Sequence, residues 1–317
     1  MVLTPEPGIY PGVPSSEYQQ WCAVNDSFLS ILINRSPAHA KAYKEQPQEP
    51  TEALIVGNAL HTRVLEPSLF PSRYAVRPVC DRRTKEGKAM YEGFAETLDD
   101  RQELTDEQVA KINRMALSLE QHSFHRYIEQ GQFEVCIVWR DRKTDLLCKA
   151  RLDYWQEALS VIVDLKTCRD ASFDAFGLAV YRYQYYQKAA WYCDGLKTLT
   201  KGSPSFVFMA LEKEPPYACA AYQLADDAIV GGRKAYRRAL SIYQECVATN
   251  YWPGYSDRIE ILTLPEWAMN RLGVGQYNLI REDEQNEQND EPQDKQFSSG
   301  TIDTDWDELE RDARQSD

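Results

Sequence analysis

Asp153, Asp164 and Lys166 lie in two short stretches rich in β-formers, Lys149-Ala150-Arg151-Leu152-Asp153-Tyr154-Trp155 and Val161-Ile162-Val163-Asp164-Leu165-Lys166-Thr167. Side chains alternate across a strand, so Asp164 and Lys166 project together while Val163 and Leu165 turn toward apolar packing. A short turn separates the stretches, which lets Asp153 approach Asp164. Two adjacent carboxylates repel each other unless they share a proton or a cation. A hard divalent ion relieves that repulsion, and magnesium keeps water ligands that a substrate can replace; manganese is the other candidate. Such an ion polarises a phosphoryl oxygen and acidifies a bound water. Lys166 could orient or deprotonate that water and offset the developing negative charge. From these residues alone two readings stand: a hydrolytic centre, or a structural Asp–Lys ion pair on a strand.

The elements that must carry these residues follow from pattern. A helix is expected after Asn25-Asp26, with Phe28, Leu29, Ile31 and Leu32 on its apolar side. Ser36-Pro37 reads as an N-cap with proline at the first helical position, opening a short helix through Ala38–Tyr43. Thr51 to Leu65 is a third helix, stopped by Glu66-Pro67, and residues 104 to 129 have helical periodicity. Phe133–Trp139, Leu146–Trp155, Ser160–Thr167, Ser205–Leu211 and Tyr217–Leu224 read as strands. Tyr181 to Gly195 returns to helix, with Gly195 as its stop, and Asp226 to Thr249 is a long helix. Helices and strands around one sheet make this an α/β (α+β) protein, with a central mixed sheet, flanking helices and a helical N-terminal part. The expected organisation is an extended segment over 1–20, one domain over 21–280 and a disordered acidic tail over 281–317.

The net charge of −13 is concentrated in that tail, where 14 acidic residues face 4 basic ones. Residues 1–280 carry a net charge of only −3, so a basic groove for DNA is compatible with the composition. The tail's end, Ile302–Leu309, sets apolar residues among acids, which fits either a solvated tail or a docking motif. Eight scattered cysteines without a CxxC pair point to reduced thiols rather than a disulfide framework or a zinc site. No signal-like start and no long apolar run is present, so no membrane partner and a cytoplasmic location are expected. His39, His122 and His125 lack acidic partners at zinc-protease spacing, and neither a P-loop nor a GxSxG element occurs.

Several ordered motifs add to this. The run Lys149–Thr167, with Tyr181-Arg182-Tyr183 and Trp191-Tyr192-Cys193-Asp194-Gly195, resembles the exodeoxyribonuclease VIII (RecE-like) family of the PD-(D/E)xK, RecB-type nucleases. Upstream, Gly57-Asn58-Ala59-Leu60-His61 and Leu65-Glu66-Pro67 look like that family's GxxxH helix. Glu212-Lys213-Glu214-Pro215-Pro216 and Trp252-Pro253-Gly254-Tyr255 continue the likeness, which extends over most of the chain apart from its ends. The resemblance implies Asp153 and Asp164 as metal ligands, Lys166 as the catalytic lysine and His61 as a further ligand. By itself, His61 on an apolar helix reads as a packed core histidine. Glu134 resembles a family acid near a second metal position. The wider family carries QxxxY in the helix after the lysine. Here Gln187 is followed by Trp191 at i+4 and Tyr192 at i+5, so that tyrosine lies off the glutamine's face. Gln187 is read as an active-site or DNA contact, with packing as the alternative, and Tyr192 as a DNA contact.

DNA itself would be held by phosphate-binding side chains. Arg82, Arg83, Thr84, Lys85 and Lys88 form a basic, turn-like segment suited to backbone or terminal phosphates. A solvated loop is the other reading of that segment. Lys149 and Arg151 share the Asp153 face of their strand by parity and suit a phosphate track. Arg233, Lys234, Arg237 and Arg238 form another basic cluster, for which surface charge is explanation enough. The resemblance further implies an exonuclease that degrades one strand of linear duplex DNA from its ends, 5′ to 3′. It also implies a ring-like homo-oligomer, a tetramer among the expected sizes, and a RecT-type single-strand annealing protein as partner in recombination. The rivals are a nuclease of the same fold with other polarity or endonuclease action, and a catalytically silent DNA-binding scaffold.

Overall fold

A computed structural model describes residues 4–45, 51–124 and 131–273. The acidic segment 281–317 and His125 lie outside the described residues. Residues through Tyr255 form one compact unit, and Ser256 opens a second. The second unit, from Ser256, contains helix α11 (Glu266–Arg271), which begins after Pro265.

In the first unit the chain runs β1 (Gly8–Tyr10), α1 (Ser15–Gln20), α2 (Asp26–Asn34), α3 (Pro37–Glu45), α4 (Glu52–Leu65), α5 (Phe70–Arg73) and β2 (Tyr74–Val76). It continues with α6 (Lys85–Glu96), β3 (Gln102–Leu104), α7 (Asp106–Gln121), β4 (Gln132–Arg140), β5 (Leu147–Gln156) and β6 (Val161–Cys168). The remainder is α8 (Phe173–Arg182), α9 (Tyr185–Leu199), β7 (Ser205–Glu212), β8 (Cys219–Gln223) and α10 (Asp226–Thr249). Six strands form one sheet in the order β1-β4-β5-β6-β7-β8. Only the β6–β7 pair is parallel, as a crossover through α8 and α9 requires; β2 and β3 pair separately, also in parallel. Local chemistry sets the helix starts: the side chains of Asn25, Thr51, Thr84 and Thr105 each accept a backbone N–H in the first turn of the helix that follows.

The sheet is covered on both faces. Val135, Ile137, Leu152, Ile162, Phe206 and Phe208 pack with α2, α9 and α10 on one side. Val163, Leu165, Val207 and Met209 pack with α4 and α7 on the other. Trp21 closes a small third cluster over Cys136 and Val138. All eight thiols are free.

Four sequence expectations need correction. The segment 1–20 is not extended throughout, because β1 pairs with β4 at the sheet edge but Ser15–Gln20 form helix α1. The helix expected over 104–129 ends at Gln121. The helix expected over 181–195 is broken at Gln184, which takes a left-handed conformation (φ 54°) and separates α8 from α9. Gly195 is no stop. It lies inside α9, where a Cβ would come within 2.7 Å of the Trp139 ring, so glycine permits the helix to sit close on β4.

Candidate functional site

The site sits where the β5–β6 ladder opens. The two strands pair from Gln156–Val161 only as far as Tyr154–Val163. At the next position the Asp153 carboxylate takes over the role of the ladder, accepting the Leu165 N–H at 2.9 Å. The cause is visible one strand away. Glu134, opposite Asp153 on β4, has φ 53°, a left-handed conformation that costs a non-glycine residue roughly 1 kcal/mol. Alternation is lost there: Val135 and Leu152 face the α9 side, whereas their partners two residues on, Phe133 and Tyr154, face the α4–α7 side. The resulting twist parts β5 from β6 and turns Asp153 into the gap. Strain of this kind concentrates at functional sites.

Four side chains come together beside the gap: His61, Asp164, Lys166 and Lys188. His61, on α4, places Nε2 3.1 Å from the Leu165 carbonyl oxygen and Nδ1 3.6 Å from Asp153 Oδ2. Asp164, fully buried on the α9 side of β6, is ion-paired through one oxygen with Lys166 and through the other with Lys188 of α9. Each ammonium also lies over an aromatic ring, Lys166 5.1 Å from the centre of Tyr185 and Lys188 5.0 Å from that of Tyr192. Burial alone would raise the Asp164 pKa, but the two ammonium groups outweigh it and hold the carboxyl below its ordinary range. Burial lowers Lys166, reinforced by Lys188 and opposed by Asp164. Lys188 is also penalised by burial, yet Asp164, Tyr192 and Asp153 hold it above its ordinary value. Of the two lysines, Lys166 is therefore the one that surrenders its proton first.

Lys188 was not anticipated, and it settles the register of α9. Lys188 and Tyr192 are four residues apart and share the face toward Asp164. A lysine thus stands at the glutamine position of the QxxxY pattern. Gln187 points elsewhere: it is completely buried and donates to Asp26 Oδ1 and Ser30 Oγ, both at 3.0 Å. It ties α9 to α2 rather than reaching DNA. Asp26, also missed, opens α2 beside this cluster, and burial pushes its carboxyl up to about 6. Tyr192 is buried against Phe206, which leaves its ring no open face for a base.

The expected phosphate track on β5 is corrected as well. Lys149 is buried, and its ammonium donates to the carbonyls of Tyr18 (2.8 Å), Trp21 (2.9 Å) and Gln19 (3.4 Å). Desolvation brings its pKa down to about 8. Parity placed it on the right face, but α1 covers that face. Arg151 is ion-paired with Glu134 and donates to the Val13 carbonyl at 3.2 Å. Glu134 is raised by burial and by Asp153, against the pull of Arg151. At the β2–α6 junction, Arg82 stacks on Tyr91 (3.9 Å to the ring centre), Arg83 pairs with Asp81, and Thr84 caps α6. Lys85 and Lys88 are exposed on the first turn of that helix. None of these contacts reaches the carboxylates.

Whether a divalent cation suits these residues depends on the donors. Asp153, the Leu165 carbonyl and His61 meet within hydrogen-bond range or close to it, and hard oxygens with one imidazole are a fitting set. Among the described residues, no three His, Cys, Asp or Glu side chains close on one point, because Asp164 is turned toward its two lysines. The donors fit an ion in kind, and Asp164 would join them by giving up one of its ammonium partners.

Residues 26–265 match the model of a family described as "PDDEXK-like domain of unknown function (DUF3799)". No curated protein matches the chain. Among solved structures, the chain is similar to a crystal structure from Eubacterium rectale described as a "Putative exonuclease". The two are 14% identical at a TM-score of 0.56, over 82% of this chain and 97% of that one. A second crystal structure, SSO0001, is 16% identical over 58% of this chain and 86% of that one, at a TM-score of 0.26 that is too low to bear on the fold. Family and topology agree on the architecture of a mixed sheet flanked by helices.

Proposed function

Because the chain belongs to the PDDEXK-like family (DUF3799), we propose that it is a metal-dependent nuclease that hydrolyses phosphodiester bonds in DNA. The carrying observation is the meeting of His61, Asp153 and the Leu165 carbonyl beside the Asp164–Lys166 pair at the parted β5–β6 strands. Nucleases of this fold generally use divalent metals, and magnesium is the proposed ion, with manganese as the substitute. His61, Asp153, Asp164 and the Leu165 carbonyl would hold it. When bound, it polarises the scissile phosphate and lowers the pKa of water.

The protein's own groups do the rest. Asp153 is fixed by the Leu165 N–H, so its second oxygen is free to point into the gap. Lys166, whose proton is the more easily surrendered of the two lysines, orients the attacking water and accepts or returns its proton. Lys188 keeps Asp164 ionised and offsets charge that builds on the phosphate. Glu134 reaches the phosphate side only by exchanging its Arg151 partner.

The finer reading is an exonuclease that removes one strand of linear duplex DNA, 5′ to 3′. The exposed 3′ strand would pass to an annealing protein of the RecT type, and the enzyme would work as a homo-oligomeric ring. The ordered motifs resembling the RecE-like family support this, and the likeness to the Eubacterium rectale structure described as a "Putative exonuclease" supports the exonuclease part of it. Duplexes labelled at either end and circular duplexes, incubated with magnesium or with EDTA, test it. Loss of the 5′ label first, with circles intact, is expected. Nicked circles or prior loss of the 3′ label would overturn the exonuclease or the polarity.

A further inference from the structure

Nine residues beyond Lys188 on the same helix, α9 reaches a second charged region. A cavity of about 770 Å³ opens between the β4–β5 turn, the last turns of α9 and the first half of α10. The turn contributes Arg140, Arg142 and Lys143; α9 contributes Lys197; α10 contributes Arg233, Lys234 and Arg237. Seven cationic side chains face two acids, Asp141 and Asp194. This concentration stands out in a chain whose first 280 residues are slightly acidic overall.

Two tiers of charge are distinguishable. Arg233 grips Asp194 through two contacts of 2.6 and 2.7 Å, with Tyr236 OH donating to the same carboxylate at 2.5 Å, and Arg237 pairs with the buried Asp141. These pairs fix two guanidinium groups in the cavity wall. Arg142, Lys143, Lys197 and Lys234 are exposed and have no acidic partner among the described residues. The floor is apolar, made by Trp139 and Trp191, whose ring centres are 4.7 Å apart. Unpaired ammonium and guanidinium groups around a concave, rigid wall suit several phosphates at once. Trp139 and Trp191 are buried, so stacking on a base is not available, and the recognition is of backbone.

We propose that this cavity is a second DNA-contact site, holding phosphodiester groups of the duplex on the side of α9 away from the carboxylates. The inference rests on the nuclease reading above. Nine residues span about 13 Å of helix axis and about two and a half turns, so Lys197 leaves α9 on the side opposite Lys188, which is turned to Asp164. The cavity is therefore a backbone contact outside the cleavage centre, on the outer side of α9.

The test is binding of a fluorescein-labelled duplex by the full chain in EDTA, followed by anisotropy across a salt series. Wild type is compared with Lys197→Ala/Lys234→Ala, which removes two exposed side chains and leaves the core intact. Each lost phosphate contact lowers the slope of log K against log salt by roughly 0.9, so a drop of about 2 is expected, with affinity down about tenfold or more at 0.1 M salt. An unchanged slope overturns the proposal. Calorimetric titration with tripolyphosphate is the second arm: if the variant loses tripolyphosphate binding but keeps its DNA slope, the cavity takes free polyphosphate and the proposal is again overturned. Since EDTA prevents cleavage, a reduced slope alongside an inactive wild type would sink the nuclease reading and leave this site standing. Active wild type with an unchanged slope would do the reverse.

Discussion

The parted strands and the basic cavity both border α9, and they handle charge in opposite ways. Around Asp164 the charges are consumed internally: Lys166 and Lys188 share one buried carboxylate, and Arg151 is taken by Glu134. At the cavity, four cations are left without acids among the described residues. Internal compensation positions groups and shifts their proton affinities, whereas uncompensated charge attracts a partner without ordering it. Lys149 shows that the distinction cannot be made from residue type: it is a lysine on the strand that carries Asp153, yet three main-chain carbonyls claim its ammonium.

Several substitutions would break or sharpen that contrast. Asp153→Ala should have the largest effect, lowering cleavage by about a thousandfold because a metal donor and the tie to Leu165 are both lost. DNA affinity in EDTA should change little; a parallel loss of binding would merge the two regions into one. Lys149→Ala should act on stability instead, costing about 2–4 kcal/mol as three carbonyls lose their donor and a cavity is left. Urea unfolding would register this, and a DNA-binding defect at unchanged stability would restore Lys149 to a phosphate track. Lys188→Gln should free Asp164 from one ammonium and lower the magnesium concentration for half-maximal cleavage by about tenfold, by removing a like charge from beside the ion. A higher requirement would mean that Lys188 supports the ion instead of competing with it.

The smallest effect concerns Asp26. Burial raises its carboxyl to about 6 in the folded chain, above an unfolded value of roughly 3.9. Folded protein therefore binds the extra proton, so the stabilisation is complete below about pH 4 and is lost as pH rises through about 6. Asp26→Asn should flatten urea-unfolding stability over that window by about 1–3 kcal/mol. An unaltered pH dependence would show that Asp26 is ionised in the fold at no cost.

Much of this was legible in the chain. Period-two patterning located β4 through β7, and alternation put Asp164 and Lys166 on one face, where the ion pair forms. The Ser36-Pro37 cap located α3, and the helical stretch from Thr51 ended by Glu66-Pro67 located α4, hence His61. Three things escaped, each for a physical reason. Alternation says which face a side chain takes but not what covers it, so α1 over Lys149 was invisible. Left-handed Glu134 and Gln184 break local patterns at residues with no sequence mark of such a turn. The role of Lys188 depends on a helix register that the neighbouring glutamine and two aromatics disguised; its spacing of four from Tyr192 was the available signal. The basic cavity needed the fold itself, because its three contributing segments are far apart in sequence.

The most direct measurement compares wild type with Lys166→Ala on linear, 5′-phosphorylated duplex DNA, with magnesium, while DNA binding is followed in EDTA. A nucleolytic centre at the parted strands requires magnesium-dependent nucleotide release by wild type, reduced about a thousandfold in the variant, with DNA affinity preserved. Equal DNA binding by both proteins, with no nucleotide released by either, would contradict it and leave a DNA-binding protein on a nuclease scaffold.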